Sequence, residues 1–309
     1  MSEQNNNGSW QNEEFDLREI ARKLWQRKWI IVAGALFFSA AGIFHAFYLP
    51  SFYTASVTLV STEEDAGGLN GMANQLGGLA SLAGLSMGGS ASSQAMIAKE
   101  ILQSRAFLRN FIKRHDLVGD LVAVEGWDQA SNKFLYDKSK YNPETKELRQ
   151  TYKNENVISD WELVTKFKKE HLRLSEDRES GMFTLSIRHY SPYEAERLAR
   201  LLVGDINEHI RTQDISEAER RIDYLQKKID DTNVFKMEEV LYQLIENETK
   251  TVMLANAREE YVFRTIDPAM APPKPSEPNK LIIVILWTMT GLVFSVLSVF
   301  LITVRSPRE

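Results

Sequence analysis

Two acidic pairs, Asp230-Asp231 and Glu238-Glu239, are the side chains best suited to acid–base work on a glycosidic bond. That chemistry needs two carboxylates flanking one reacting atom. Adjacent residues on a helix point to different sides, so neither pair closes a pocket by itself, and solvated helix faces account for both. Five histidines, at 45, 115, 171, 189 and 209, lack metal-ligand spacing of the H-E-x-x-H kind. There is no G-x-x-x-x-G-K-[ST] and no cysteine. The last absence excludes thiolate zinc, iron–sulfur clusters, disulfides and a cysteine nucleophile. No catalytic, cofactor-binding or metal-ligating residue is therefore expected. Trp127, Tyr136, Tyr141, Tyr152 and Trp161 lie in and beside a polar, turn-rich stretch over 125–160. Such rings can stack on sugars, but a small irregular region also needs them to fold, and packing is the expected role.

The elements that would hold these residues are framed by two apolar runs. Residues 30–49, IIVAGALFFSAAGIFHAFYL, and 281–304, LIIVILWTMTGLVFSVLSVFLITV, carry no formal charge. Each is long enough to cross a hydrocarbon core of about 30 Å. The first exceeds a cleavable signal region and lacks a small-x-small site after it. Arg18, Arg22, Lys23, Arg27 and Lys28 precede the first span, and Arg305 and Arg308 follow the second. The positive-inside rule then places both termini in the cytoplasm and residues 50–280 outside it. His45, near the outer end of the first span, would reach interfacial water rather than relay protons. Small residues, in Ala35-x-x-x-Ser39 and Gly42-x-x-x-Ala46, permit close helix approach; the expected partner is the second span, with a separate membrane protein as the alternative. Within the cytoplasmic segment 1–29, Phe15-Asp16-x-x-Glu19-Ile20 opens an amphipathic helix suited to lipid headgroups. The tail, 305–309, has no room for an output domain.

The exported part is mildly acidic, and the whole chain carries a net charge of -5, which argues against nucleic acid. A strand is predicted over 53–60. From Ala66 to Ala98 the chain is uncharged and holds eight of the sixteen glycines. Glycine disfavours an isolated helix there, while Leu76, Leu79, Leu82 and Leu85 disfavour a solvated linker. A segment packing on another subunit or a partner satisfies both, and a loop covering its own domain is the alternative. Helices are predicted over 93–115, with Ile97, Ile101, Leu108, Phe111 and Ile112 on one face, and over 161–173. A second strand covers 182–190. Ser191-Pro192-Tyr193-Glu194 opens a long helix with a capping box. Ile215, Ala218, Ile222, Leu225 and Ile229 follow at coiled-coil-like steps, forming a candidate helix-packing or oligomer seam. Thr232-Asn233 is a plausible break, after which 236–257 would return with Val240, Leu241, Leu244, Ile245 and Val252 inward. One continuous rod is the alternative. A third strand, 261–266, leads into a proline-rich connector over 268–280.

This order of parts resembles the Wzz family of polysaccharide co-polymerases, the O-antigen chain length determinants. The likeness is carried by DLREIARKLWQRKWIIV…YLPSFYTASVTL, by HYSPYEAERLARLLVGDINEHIR, and by ENETKTVMLANAREEYVFRTIDPAMAPPKPSEPNK. It implies an α+β membrane protein: two transmembrane helices flanking a periplasmic domain, with a small α/β base and a long helical protrusion over 192–257. It implies a bacterial inner-membrane location, a ring-like homo-oligomer, a Wzy-type polymerase as partner, the nascent polysaccharide as a further contact, and no enzymatic activity or cofactor of its own. A capsule or exopolysaccharide system with a separate tyrosine kinase is the rival implication, and a membrane-tethered glycan enzyme a more distant one.

Overall fold

The computed structural model describes residues 28–62, 90–149, 159–177, 179–231 and 234–305. The amphipathic segment around Phe15, and Leu76, Leu79, Leu82 and Leu85, lie outside these residues. The chain divides into two units, one of residues before 51 and after 276, the other spanning 51–276.

The first unit pairs α1 (Lys28–Tyr48) with a helix over Lys280–Arg305, both long and apolar enough to cross a membrane. A run without charge leaves no side chain that needs water, and helical hydrogen bonding satisfies every backbone group inside lipid.

The second unit is built on one antiparallel sheet. Its strands are β1 (Tyr53–Ser61), then, after α2 (Ser90–Leu102), α3 (Arg105–Arg114) and α4 (Val118–Ala123), two small ribbons. These are β2 (Val124–Asp128) with β3 (Lys133–Tyr136), and β4 (Tyr141–Asn142) with β5 (Glu147–Leu148). Helix α5 (Asp160–Lys166) winds into a π-helical turn, Phe167–His171, and then β6 (Leu172–Glu176) and β7 (Phe183–His189). The long α6 (Pro192–Asp230), α7 (Phe235–Ala257), β8 (Phe263–Asp267) and α8, the second membrane helix, complete the chain. Strand order is β6-β7-β1-β8.

Alternation decides which face is buried. Ala55, Val57 and Leu59 pair with Ile187, Leu185 and Phe183, and all six are buried. The first half of α6 lies on that face through Leu198, Leu202, Ile206 and Ile210, with Phe111, Ile112 and Phe167 closing the core.

Four local expectations change. The helix expected over 93–115 breaks at Ser104, whose hydroxyl caps α3 by accepting from the Phe107 N–H, and Ile97 is exposed. The helix expected over 161–173 ends at His171 because Leu172, Leu174 and their neighbours join the sheet as β6, pairing with Ile187 and Leu185. The turn-rich stretch contains real ribbons; Trp127 pairs with Phe134 across one of them. The predicted capping box at α6 is half made. The Ser191 hydroxyl accepts from the Glu194 N–H, but Glu194 pairs with Arg197 instead of reaching back. The Ser191 N–H that it would have bound donates to His189 Nδ1 at 3.2 Å.

Candidate functional site

Among the described residues no constellation of catalytic spacing forms. Asp230, Asp231 and Glu239 are exposed and Glu238 is half-buried. Among the described residues no group of three or more His, Asp or Glu could hold a metal. What the folding brings together are two helix-pairing surfaces and a buried polar layer.

The first surface is in the membrane pair. Gly34 faces Ser295, Gly42 faces Trp287 and Gly291 faces Phe38. Each pair has the same index sum, so the helices run antiparallel in one register, with a large ring against glycine at two levels and Ser295 against Gly34 at the third. A methyl group at position 42 would stand 2.6 Å from the Trp287 Cβ. Of the small residues expected to pack, Gly42 and Ala46 are buried, and Ala35 and Ser39 lie half-buried beside them. The first span thus packs on the second. Gly34 and Gly291 complete the contact, and Gly291 is invisible in sequence because only its partner's size gives it a role.

The second surface is the helical hairpin. Helix α7 returns along α6: Arg221 Nε meets Glu248 Oε1 at 2.9 Å, and an Arg211 guanidinium N–H donates to the Arg258 carbonyl. Both pairs are centred on the turn between 234 and 235, so the chain folds back rather than continuing as a rod. The predicted seam residues Ala218 and Ile229 are buried and Ile215, Ile222 and Leu225 half-buried, facing α7 of the same chain. On α7 the inward stripe is Glu238, Leu241, Ile245, Glu248, Val252 and Ala255. Val240 and Leu244, expected inward, are 50% and 45% exposed. The reason is the spacing: steps of 3 and 4 keep one face toward α6 only if the stripe includes two glutamates. Exposed Met237, Val240, Leu244 and Leu254 form a second apolar stripe one residue round the helix.

The buried polar layer joins sheet and helices. Asn207, on α6, is 5% exposed. Its Oδ1 accepts from the N–H groups of Val262 and Phe263, and its Nδ2 donates to the Phe263 carbonyl, each at 2.9 Å. Its amide stands where a further strand would lie against β8, the sheet's edge. Asp120 accepts from the Tyr136 hydroxyl at 2.7 Å. Burial raises the Asp120 carboxyl above its ordinary range, and burial together with that carboxylate raises the Tyr136 phenol. Tyr141, over which Gly119 fits, is buried alongside. Packing therefore takes up Tyr136 and Tyr141, whereas Trp161 is half-exposed under the Arg105 guanidinium.

His171 and His189 lie with ring centroids 5.8 Å apart. Nδ1–H of His171 donates to the Arg188 carbonyl at 2.8 Å. Burial lowers His171, and burial, with His171 and Arg197 nearby, lowers His189 to about 3. Folding thus favours the neutral form of both rings. The unfolded chain, with histidines near 6.5, binds more protons between pH 6.5 and 3, so stability is full above 6.5 and falls as pH drops through that window. The expected loss is on the order of 3–5 kcal/mol by pH 3 for a shift of this size. Urea midpoints of the full-length protein at pH 7.5, 5.5 and 4 check it: the His189→Gln variant should show a shallower decline than the parent.

Comparison with known proteins gives two family-model matches. Residues 13–115 match the Wzz model, described as chain length determinant protein. Residues 231–304 match GNVR, a G-rich domain described on tyrosine kinases. No curated protein sequence matches the chain. Among solved structures, a full-length bacterial polysaccharide co-polymerase is similar at 12% identity and a TM-score of 0.39, covering 95% of this chain and 100% of that one. A fragment of WzzB, the polysaccharide co-polymerase of Salmonella Typhimurium, is similar at 12% identity and a TM-score of 0.28, covering 74% and 100%.

Proposed function

We propose, from the premise that this chain belongs to the Wzz family of chain length determinants, that it sets the length distribution of a lipopolysaccharide O-antigen. It would do so as a ring-like homo-oligomeric scaffold beside a Wzy-type polymerase, which makes the glycosidic bonds. The observation that carries this reading is the match of residues 13–115 to the chain length determinant model, over the first membrane helix and β1. The lack of a metal-ligand histidine spacing, of a G-x-x-x-x-G-K-[ST] and of any cysteine supports a non-enzymatic role. The basic residues flanking the spans support a two-pass inner-membrane protein with cytoplasmic termini and a periplasmic body.

The seam on α6 is taken by α7, so self-assembly needs another surface. The exposed stripe Met237, Val240, Leu244 and Leu254 supplies apolar area for it. The likeness of residues 231–304 to a domain described on tyrosine kinases favours a second reading, a capsule or exopolysaccharide co-polymerase working with a separate kinase.

Deleting the gene and resolving surface polysaccharide on a gel tests the first reading. The expected result is loss of the preferred length, with short chains dominating the ladder, restored by the full chain in trans. An unchanged lipopolysaccharide ladder with an altered capsule or exopolysaccharide would move the assignment to the second reading.

A further inference from the structure

We infer that a cleft walled by Trp127, Tyr53 and Tyr193 is a binding site for an uncharged saccharide, an inference that rests on the polysaccharide reading above. The cleft has a volume of about 290 Å³ and opens between the start of β1, the β2–β3 turn, the first turn of α6 and the proline connector. This sits at the small end of the range for ligand pockets, about 300–1,000 Å³.

Its walls are aromatic, and Trp127 meets the other two rings edge-to-face, Tyr53 at 5.7 Å and 84° and Tyr193 at 6.2 Å and 69°. The turn beneath is built to hold the indole still. Asp128 accepts from the Ala130 and Ser131 N–H groups and from the Ser131 hydroxyl. Asn132 takes a left-handed conformation, φ 51°, and its Oδ1 accepts from Trp127 Nε1–H at 2.9 Å. The indole's polar edge is thereby satisfied within the protein. Tyr193, by contrast, is 59% exposed, so its ring and hydroxyl are open to a ligand.

Every residue lining the cleft is uncharged. Beside the rings stand the amides of Gln129 and Asn132 and two phenolic hydroxyls, able both to donate and to accept. A pyranose presents the matching surface: an apolar C–H face for a ring and a rim of hydroxyls for amides. A proline-rich peptide would also suit aromatic walls. The chain's own Pro272 and Pro273 already line that side, which leaves the polar-rimmed part of the cleft for a ligand. Of the lining residues, Tyr53 closely follows the first membrane helix in sequence, and Pro272 and Pro273 closely precede the second.

The test uses the full-length protein in lipid nanodiscs, titrated calorimetrically with neutral hexasaccharides (maltohexaose, mannohexaose and a rhamnose hexamer) and with hexaproline. At least one hexasaccharide should bind saturably. Tyr193→Ala should weaken it ten-fold or more and Tyr193→Phe less than three-fold, with the melting temperature of both variants unchanged. Three outcomes overturn the site: no hexasaccharide saturates, hexaproline binds in preference, or binding persists in both Tyr193→Ala and Trp127→Ala. The gene deletion is read separately. An altered polysaccharide ladder with no hexasaccharide binding removes the cleft and leaves the chain-length reading standing. An unaltered ladder with Tyr193-dependent binding does the reverse.

Discussion

Gly291→Leu should separate the two membrane helices. The side chain would enter the space held by Phe38, in a pair where glycines sit against Phe38, Trp287 and Ser295 at three levels. Overpacking a well-fitted contact costs about 1–3 kcal/mol. Between membrane helices, moreover, no hydrophobic driving force compensates a lost fit, since lipid is as apolar as leucine. The chain's lack of cysteine makes the measurement direct. Spin labels on Tyr48→Cys and Leu281→Cys, both on exposed positions at one end of the pair, report a single distance when labelled chains are diluted with unlabelled ones. The parent should give a narrow distribution; Gly291→Leu should broaden it and lengthen it by several ångströms. Adding Phe38→Ala should restore it. If Gly291→Leu leaves the distribution unchanged, the glycine–phenylalanine fit does not hold the pair.

The largest loss of stability from one substitution is expected at Asn207. Its amide answers three backbone groups of Val262 and Phe263. In Asn207→Ala these groups lose their partners, and Val262 and Phe263 are themselves buried, so water is poorly placed to replace the amide. A buried polar group left without a partner costs about 1–3 kcal/mol. Even with partial relaxation the sum is about 3–6 kcal/mol, a large share of a typical domain's stability. Chemical denaturation of the full-length protein in mild detergent checks this. A drop under about 1 kcal/mol would show that the strand edge does not depend on the amide.

Asn207 also marks where the sequence stops being legible. The spans could be read because an uncharged run has few alternatives, and the start of α6 because Ser191-Pro192 is a local signal. The seam Ile215, Ala218, Ile222, Leu225 and Ile229 was visible from spacing alone, but which helix it meets was not. On α7 the apolar pattern found Leu241, Ile245 and Val252 but added Val240 and Leu244, since Glu238 and Glu248 complete the true inward face and Arg221 engages Glu248 only across the turn. β6 escaped notice because LRLSE carries two charges and no β-branched residue; pairing with β7 makes it a strand. Asn207 looks like any polar residue in a helix until β8 is laid beside it. The same holds for the aromatic cleft, whose three rings are separated by long stretches of sequence and acquire a common purpose only through the fold.

The place where the sheet closes has a consequence for the membrane helices. Ser276 N–H donates to the Phe52 carbonyl at 2.8 Å, and Thr54 N–H to the Ser276 hydroxyl at 3.1 Å, so the body's entry and exit strands are stitched together. Once folded, the body therefore replaces a very long tether between the spans with a few residues on each side. Ring-closure entropy falls with the logarithm of tether length, and a roughly twenty-fold shortening amounts to about 2–3 kcal/mol in favour of the pair. Folding outside the bilayer thereby raises the effective concentration of one span for the other inside it.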